Sequence, residues 1–275
     1  MARKVAVVTG GNKGIGYAVV KELCQKFNGD VILAARDEAR GKDAVEQLKA
    51  LNLNPVYHQL DIDDTSSISQ LKDFLHKEYG GLDILVNNAA IAYKMASTTP
   101  DAEQAENSIN TNFFGTLNVC KALFPILRPH ARVVNVSSSA GRLSNIPNKE
   151  LQKKFLVSNL TEEELCGLMK EFVSDAKAGL KREKGWAHTN YMMSKIGVSA
   201  LTFLQQREFD KDSREDLVVN AVHPGYVNTD MTSGKGVRTI EEGAEPIVYA
   251  ALLPPNIKSP KGEYIWEDSK VVSWV

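Results

Sequence analysis

Cysteine is scarce in this chain: Cys24, Cys120 and Cys166 are the only three in 275 residues, far apart and without metal-ligand spacing. An odd, scattered set builds neither a disulfide framework nor a zinc site, so the thiols read as small apolar side chains and the chain as cytoplasmic. A long apolar run is also missing. Nothing approaches the roughly 20 residues that cross a bilayer, and the apolar stretch after Met1-Ala2-Arg3-Lys4 is too short for a signal peptide. An excess of one charge is absent too: 33 basic residues face 34 acidic ones, for a net charge of -1. Neither nucleic acid nor an acidic membrane surface is therefore an expected partner. Repeats, low-complexity tracts and linker compositions are lacking, which predicts one domain over residues 1–275.

What is present is alternation. Short runs rich in Val, Ile and Leu at residues 4–9, 31–35, 55–60, 82–87, 132–137 and 217–223, with a last one near 263–266, read as strands buried on both faces. Between them lie amphipathic patterns at residues 14–27, 36–51, 65–79 (with Thr65 as N-cap) and 102–124, the last stopped near Pro125. Strand and helix in turn predict a doubly wound α/β fold: a parallel sheet with helices on both faces. The rhythm breaks between Ser138 and Tyr191. The intervening residues 150–180 are helix-like, and Thr161 followed by Glu164 forms a capping-box signature. A long insertion at that point reads as a lid or wall.

Thr9-Gly10-Gly11-Asn12-Lys13-Gly14-Ile15-Gly16 joins the first strand to the first helix. Glycines allow the tight turn and a close approach to a pyrophosphate, and the helix N-terminus offers free N–H groups to its charge. A dinucleotide site is the reading; no Gly-Lys-Ser/Thr makes it a nucleoside-triphosphate loop. At the end of the second strand, where an acidic residue would grip an unphosphorylated ribose, the sequence has Ala35 and then Arg36. Arg36, Arg40 and Lys13 suit a 2′-phosphate, which favours NADPH over NADH. Asp37 keeps the ribose-binding alternative open.

Tyr191 and Lys195 stand four apart, on one face of a helix. A phenol with pKa about 10 exchanges protons poorly near neutrality, and a neighbouring ammonium favours its charged form. Ser137, Ser138 and Ser139 end a strand, where a hydroxyl can donate to a carbonyl oxygen as charge builds. Asn87 and Asn88 end another, and Asn112 follows downstream; buried asparagines commonly tie backbone together, and Asn112 could also take part in chemistry.

Taken together these residues closely resemble the short-chain dehydrogenase/reductase family, from Lys4 to Trp266: T-G-x-x-x-G-x-G at the glycine loop, N-N-A at Asn87, Asn112, Ser138, Y-x-x-x-K at Tyr191, and P-G at Pro224. The resemblance implies a Rossmann-type seven-stranded parallel sheet and a tetrad of Asn112, Ser138, Tyr191 and Lys195. Ser138, three residues before Gly141, would orient the carbonyl, and Tyr191 would give the proton. Lys195 would lower the Tyr191 pKa and hold the nicotinamide ribose, while Asn112 would position a water. Gly10, Asn12, Lys13, Gly14, Ile15 and Gly16 would hold the pyrophosphate of NADPH/NADP. Asp61 and Ile62 would flank the adenine, Asn88 would line the cofactor cleft, and Val227, Asn228 and Thr229 would meet the nicotinamide amide.

Within the family the chain is similar to the carbonyl-reductase branch, chiefly through the insertion at about 146–187, which implies a cover over the active site and a monomer acting on ketones, aldehydes or quinones. That branch implies substrate contacts from Ser138, Tyr93, Lys94, Met95 and Gln104; Asn190, before the Tyr motif, departs from the pattern and is expected at the substrate pocket. Ala90 stands where the family usually has Gly, Met192-Met193 replace small residues, and His223 replaces a Cys common in the branch; His223 reads as a local hydrogen-bond former. A steroid, prostaglandin or plant-ketone reductase of the same family shares all the catalytic residues. A non-catalytic NADPH-binding redox sensor and a partner-binding scaffold remain as other classes.

Overall fold

A computed structural model describes residues 3–275. The elements run β1 (Val5–Thr9), α1 (Gly14–Lys26), β2 (Asp30–Ala35), α2 (Glu38–Lys49), β3 (Val56–Gln59), α3 (Thr65–Tyr79), β4 (Leu82–Asn87), α4 (Asp101–Ile109), a π-helical stretch (Asn110–Gly115), α5 (Thr116–Leu123) and β5 (Leu127–Val136). After them come α6 (Lys149–Phe155), α7 (Glu162–Lys177), α8 (Asn190–Phe209), β6 (Val218–Val222), α9 (Ile240–Ala251) and β7 (Tyr264–Ile265). The sheet has seven strands in the order β3-β2-β1-β4-β5-β6-β7, and every pairing is parallel.

Alternation along the strands divides the core. Ala6 and Val8 face one side with Ala18, Val19 and Leu23 of α1 and Ala44 of α2; Ile247 of α9 joins them. Val5 and Val7 face the other, with Leu71 and Leu75 of α3 and Val119 of α5. Both faces are covered at the centre of the sheet, so β1, β2 and β4 are largely apolar, continuous rather than alternating, whereas the edge strand β3 is partly exposed.

Two expectations change in detail. The single helix expected over residues 102–124 is interrupted: residues 110–115 widen into π-helix, a form that concentrates at functional sites, and it carries Asn112. Thr65 is not the cap of α3 but its first residue; Asp64 is the N-cap, accepting from the Ser66 N–H at 2.8 Å. Carboxylate outcompetes hydroxyl there because it also meets the positive end of the helix.

The insertion forms α6 and α7. The capping box at Thr161 and Glu164 is present. Leu165, Met169 and Phe172 of α7 are buried in one cluster with Ala105 and Ile109 of α4 and Ile196 and Ala200 of α8. Helix α8 therefore has the sheet on one side and α4 and α7 on the other, and is buried nearly all round. The loop after α7 is fixed by Asp175, buried, whose carboxylate accepts from Trp186 Nε1 at 2.8 Å and Lys184 Nζ at 2.6 Å.

Candidate active site

Strand order reverses at β1 and β4, and loops leaving their carboxyl ends diverge to open a crevice. A cleft of about 650 Å³ lies there, walled by the glycine loop, Arg36, Asp61, Ile62, Asn88 and the segment at Asn228 and Thr229. Thr9 and Asn88 hold its floor. The Thr9 Oγ1 accepts from the backbone N–H groups of Asn88 and Ala89 at 3.0 and 2.9 Å. Asn88 Nδ2 returns donors to the carbonyls of Thr9 and Gly10 at 2.9 and 3.3 Å. Gly10 and Gly14 adopt φ of +65° and +56°, a region that costs other residues about 1–2 kcal/mol. A Cβ on Gly16 would lie 2.3 Å from the Gly10 carbonyl oxygen, so only hydrogen lets α1 approach the loop.

Helix α1 opens at Lys13 with no side-chain cap and no acidic residue in its first turn. By contrast Asp37, Asp64, Thr161, Thr189 and Thr239 cap the starts of α2, α3, α7, α8 and α9. Uncapped N–H groups and the helix dipole aimed into a glycine-lined cleft fit a pyrophosphate. Arg36 and Lys13 are on the cleft wall and mostly exposed. Asp37 and Arg40 do not line the cleft. The Asp37 carboxylate accepts from the Arg40 N–H at 3.0 Å as the cap of α2 and lies 3.4 Å from Arg40 Nε. The carboxylate that could have gripped a ribose is thus committed to the helix. Val227, expected at the nicotinamide, is buried instead against Gly243, and Asn228 and Thr229 alone of that trio reach the wall.

At the ends of β5 and β6, and the start of α8, the structure separates the three serines. Ser137 is buried, 2.7 Å from Ser199 Oγ; Ser139 is exposed and its N–H donates to His223 Nδ1 at 3.0 Å. Of the three, Ser138 alone has its hydroxyl near enough to the Tyr191 phenol to act on its proton affinity. Gly141 makes this meeting possible: a Cβ there would fall 2.4 Å from Ser137 Oγ and 2.8 Å from the Lys195 carbonyl, and would push α8 off the serine loop. Lys195 Nζ donates to the Val136 carbonyl at 2.7 Å and lies 5.8 Å from the centre of the Tyr191 ring.

The electrostatics of the pair differ from expectation. Burial pushes the Tyr191 phenol up to about 12, with the Ser138 hydrogen bond pulling the other way. Burial likewise pulls the Lys195 ammonium down to about 8. Desolvation penalises both charged forms and outweighs the attraction of an ammonium tied to a carbonyl. Lys195 therefore does not by itself lower the phenol. The raised value keeps Tyr191 loaded with a proton, and the adjacent ammonium is placed to stabilise the phenolate once that proton leaves.

Asn112 is buried and fully engaged. Its Nδ2 donates to the Ile91 carbonyl and Ser194 Oγ, both at 2.9 Å, and its Oδ1 accepts from the Ile91 N–H at 2.8 Å. The side chain's two donors are spent, so any water it holds must come through an oxygen lone pair. Of the expected substrate contacts, Asn190 is buried and bound to Asp101 and Lys181 rather than facing the cleft. Tyr93 accepts from Asn107 Nδ2 at 2.7 Å, Gln104 donates to the Thr99 carbonyl at 2.8 Å, and Lys94 and Met95 are exposed. Ala90 is on the cleft wall, Met193 is core and Met192 is half-buried against it. No insertion residue lines the cleft. His223 accepts from two backbone N–H groups, of Ser139 and Gly225. Burial, with Arg238 and Arg142 nearby, lowers it to about 4, so it is neutral and local in role.

Three supporting residues escaped the sequence reading. The Tyr264 phenol donates to the Ser138 carbonyl. Trp274 Nε1 donates to the Gly141 carbonyl at 2.6 Å, and Ser194 Oγ to the Tyr191 carbonyl at 2.8 Å. Ser194 sits inside the Y-x-x-x-K spacing and was open to inspection; no sequence pattern marks Tyr264 or Trp274.

The family model described as short chain dehydrogenase matches residues 4–149. The chain belongs to that family. Among its relatives, carbonyl reductase (NADPH) 1 of Rattus norvegicus is 52% identical, over 99% of this chain and 99% of its own length. The Homo sapiens protein of the same name is 51% identical over 98% of each. Two solved plant reductases are similar in three dimensions. Salutaridine reductase from Papaver somniferum superposes with a TM-score of 0.86 at 34% identity, covering 95% of this chain and 99% of its own. Menthone neomenthol reductase from Mentha piperita gives 0.82 at 32%, covering 97% and 99%. The family match ends before Tyr191, but the relatives align over 98–99% of the chain and so span the insertion and Tyr191.

Proposed function

We propose that this short-chain dehydrogenase is an NADPH-dependent reductase of small carbonyl compounds: ketones, aldehydes and quinones. The observation that carries the reading is the meeting of Tyr191, Ser138 and Lys195 at the carboxyl edge of the sheet, beside a cleft with an uncapped helix N-terminus. Kinship at about half identity over the full length to proteins named carbonyl reductase (NADPH) supports it. The glycine loop and the first turn of α1 would hold the pyrophosphate, with Asp61, Ile62 and Asn88 along the cleft; Arg36 and Lys13 would meet a 2′-phosphate. When bound, the reduced nicotinamide supplies the hydride. The Ser138 hydroxyl donates to the carbonyl oxygen as negative charge gathers there, a contribution of about 10²–10³ in rate for such a donor. Tyr191, kept protonated by burial, passes its proton to that oxygen, worth about 10²–10⁴. Lys195 then faces a phenolate it can stabilise.

The packing of α7 over α4 and α8 supports a monomer, because it covers faces through which a second copy could dock. We read residues 1–275 as one domain in which the insertion braces the catalytic helix. Three free thiols fit a cytoplasmic setting, and among the described residues no helix is long and apolar enough to cross a membrane. The test is NADPH oxidation followed at 340 nm with menadione, isatin and an aromatic aldehyde, wild type beside Tyr191→Phe. Turnover that collapses in the variant, with NADPH binding retained, is the expected result. Tight NADPH binding without turnover of any carbonyl would favour a redox sensor.

A further inference from the structure

The insertion makes polar contacts with the catalytic helix near both of its ends: Arg207, toward the C-terminal end, donates to the Ser158 and Leu160 carbonyls, and the other contact is at Asn190, beside Tyr191. Asn190, the residue before Tyr191, is buried (6% exposed). Its Nδ2 donates to Asp101 Oδ1 at 3.0 Å and to the Asp101 carbonyl at 3.3 Å. Its Oδ1 accepts from Lys181 Nζ at 3.0 Å. Lys181 closes the ring with Asp101 Oδ1 at 2.6 Å, its side chain only 12% exposed. Three separate pieces of chain converge here: the first residue of α4, the first residue of α8, and the loop after α7. That loop is not slack. Asp175 anchors it through Lys184 and Trp186, and the Trp186 N–H donates to the Lys181 carbonyl at 2.9 Å.

A second tie lies one turn along α8, where Ser194 Oγ accepts from Asn112 and donates to the Tyr191 carbonyl. Asp101 and Asn112 belong to one continuous stretch, α4 running into the π-helix. Tyr191 is thus bracketed: the residue before it and the residue three after it are both fastened to the same rigid neighbour. Thr189 caps the Met192 N–H, but the N–H groups of Asn190 and Tyr191 ahead of it have no intrahelical partner, so the first turn can still fray. A phenol in the first turn therefore needs such fastening if it is to stay on Ser138.

We propose that Lys181, Asp101 and Asn190 form a positioning latch for Tyr191, so that the insertion sets the orientation of the proton donor. The latch rests on the reductase reading for its effect on turnover, but not for its effect on the helix. Breaking it removes charge-assisted bonds from a cluster in which Asn190 and Lys181 are enclosed and Asp101 is 57% exposed, and small misplacements of a reacting group cost on the order of 10²-fold.

The test compares Lys181→Met and Asn190→Ala with the conservative Lys181→Arg, by hydrogen exchange of the peptide over residues 189–196, kcat and KM with menadione, and NADPH affinity by tryptophan fluorescence. The two broken variants should exchange the Met192 and Met193 amides at least 10-fold faster and lose about 10-fold or more in kcat. NADPH affinity should stay within about 2-fold, and Lys181→Arg should recover most of both losses. Asn190→Ala covers the case in which Lys181→Met does not fold. Unchanged exchange overturns the latch; faster exchange with unchanged kcat overturns its positioning role; parallel loss of NADPH affinity and kcat reduces it to general stability. A wild type inactive on every carbonyl would instead defeat the reductase reading, and the exchange comparison would still decide whether the latch holds α8.

Discussion

Gly16→Ala tests whether the glycine loop is a cofactor cradle or merely a turn. The φ of Gly16 is ordinary, so backbone strain does not enter; the effect is one of contact. The new methyl carbon would stand 2.3 Å from the Gly10 carbonyl oxygen and 2.4 Å from Asn88 Nδ2. The Asn88 amide can swing away, but only by giving up its bonds to the Thr9 and Gly10 carbonyls, about 1 kcal/mol each. The Gly10 oxygen is backbone and moves only with the loop. Overpacking of this kind costs about 1–3 kcal/mol. The sum, about 3–5 kcal/mol, falls where pyrophosphate would be held, while the bulk of the core is untouched. At about 1.4 kcal/mol per decade, NADPH affinity should weaken by at least 100-fold, with the far-ultraviolet circular dichroism unchanged. Fluorescence titration measures the first and a thermal scan bounds the second. NADPH bound by a folded Gly16→Ala protein within about 3-fold of wild type would refute the assignment of the cleft.

Arg36→Ala should weaken NADPH by about 10-fold or more and leave NADH within about 2-fold, since a 2′-phosphate is the only difference for a guanidinium to read; the ratio of the two dissociation constants checks it. With Lys195 lowered to about 8 by burial, the ammonium beside Tyr191 is lost as pH rises through that value, so kcat/KM for reduction should fall above about pH 8. Lys195→Met should lack this alkaline limb in a pH–rate profile. Tyr264→Phe removes the donor to the Ser138 carbonyl and should lower kcat about 5- to 10-fold, the worth of one neutral hydrogen bond, with NADPH affinity unchanged. For Asp175, desolvation raises the carboxyl pKa, but hydrogen bonds from Lys184 and Trp186 outweigh it and the net shift is downward. Its stabilisation is therefore complete above the ordinary aspartate value of about 3.9 and is lost as pH falls through the lower folded value. Asp175→Asn should cost about 1.5–3 kcal/mol at pH 7, a difference from wild type that shrinks toward zero in acid, as urea melts at several pH values would reveal.

The sheet was legible because buried strands leave a strong mark: all seven runs expected from apolar content overlap observed strands, including the two-residue β7, although β5 begins five residues earlier, at Leu127. Helix interiors were equally plain, but their ends and irregularities were not. The widening at residues 110–115 has no compositional sign, since it arises where Asn112 is pulled at once toward Ile91 and Ser194, a tertiary demand. Thr65 misled because Asp64 beside it offers the stronger cap. Helix α8 has little amphipathic signal, being enclosed by sheet, α4 and α7, and only the Y-x-x-x-K spacing announced it.

The chemistry was legible where residue type is dictated by atoms that must approach: Gly16 by the Gly10 oxygen, Gly141 by α8, and Tyr191 with Lys195 by one helical turn. It was not legible where a residue acts by holding another. Asn190 is a polar residue beside a catalytic tyrosine, and by sequence alone it reads as a substrate contact. Its partners lie 89 positions upstream, at Asp101, and 9 positions back, at Lys181. Only the packing of α7 against α4 and α8 brings them together. The same holds for Tyr264 and Trp274, whose hydrogen bonds clamp the Ser138 and Gly141 carbonyls from the far end of the chain. Groups that bear the reaction are constrained by chemistry and so recur as a pattern. Groups that aim them are constrained by geometry, and many sequences satisfy the same geometry, which is why the insertion's part in holding Tyr191 emerges only from the fold.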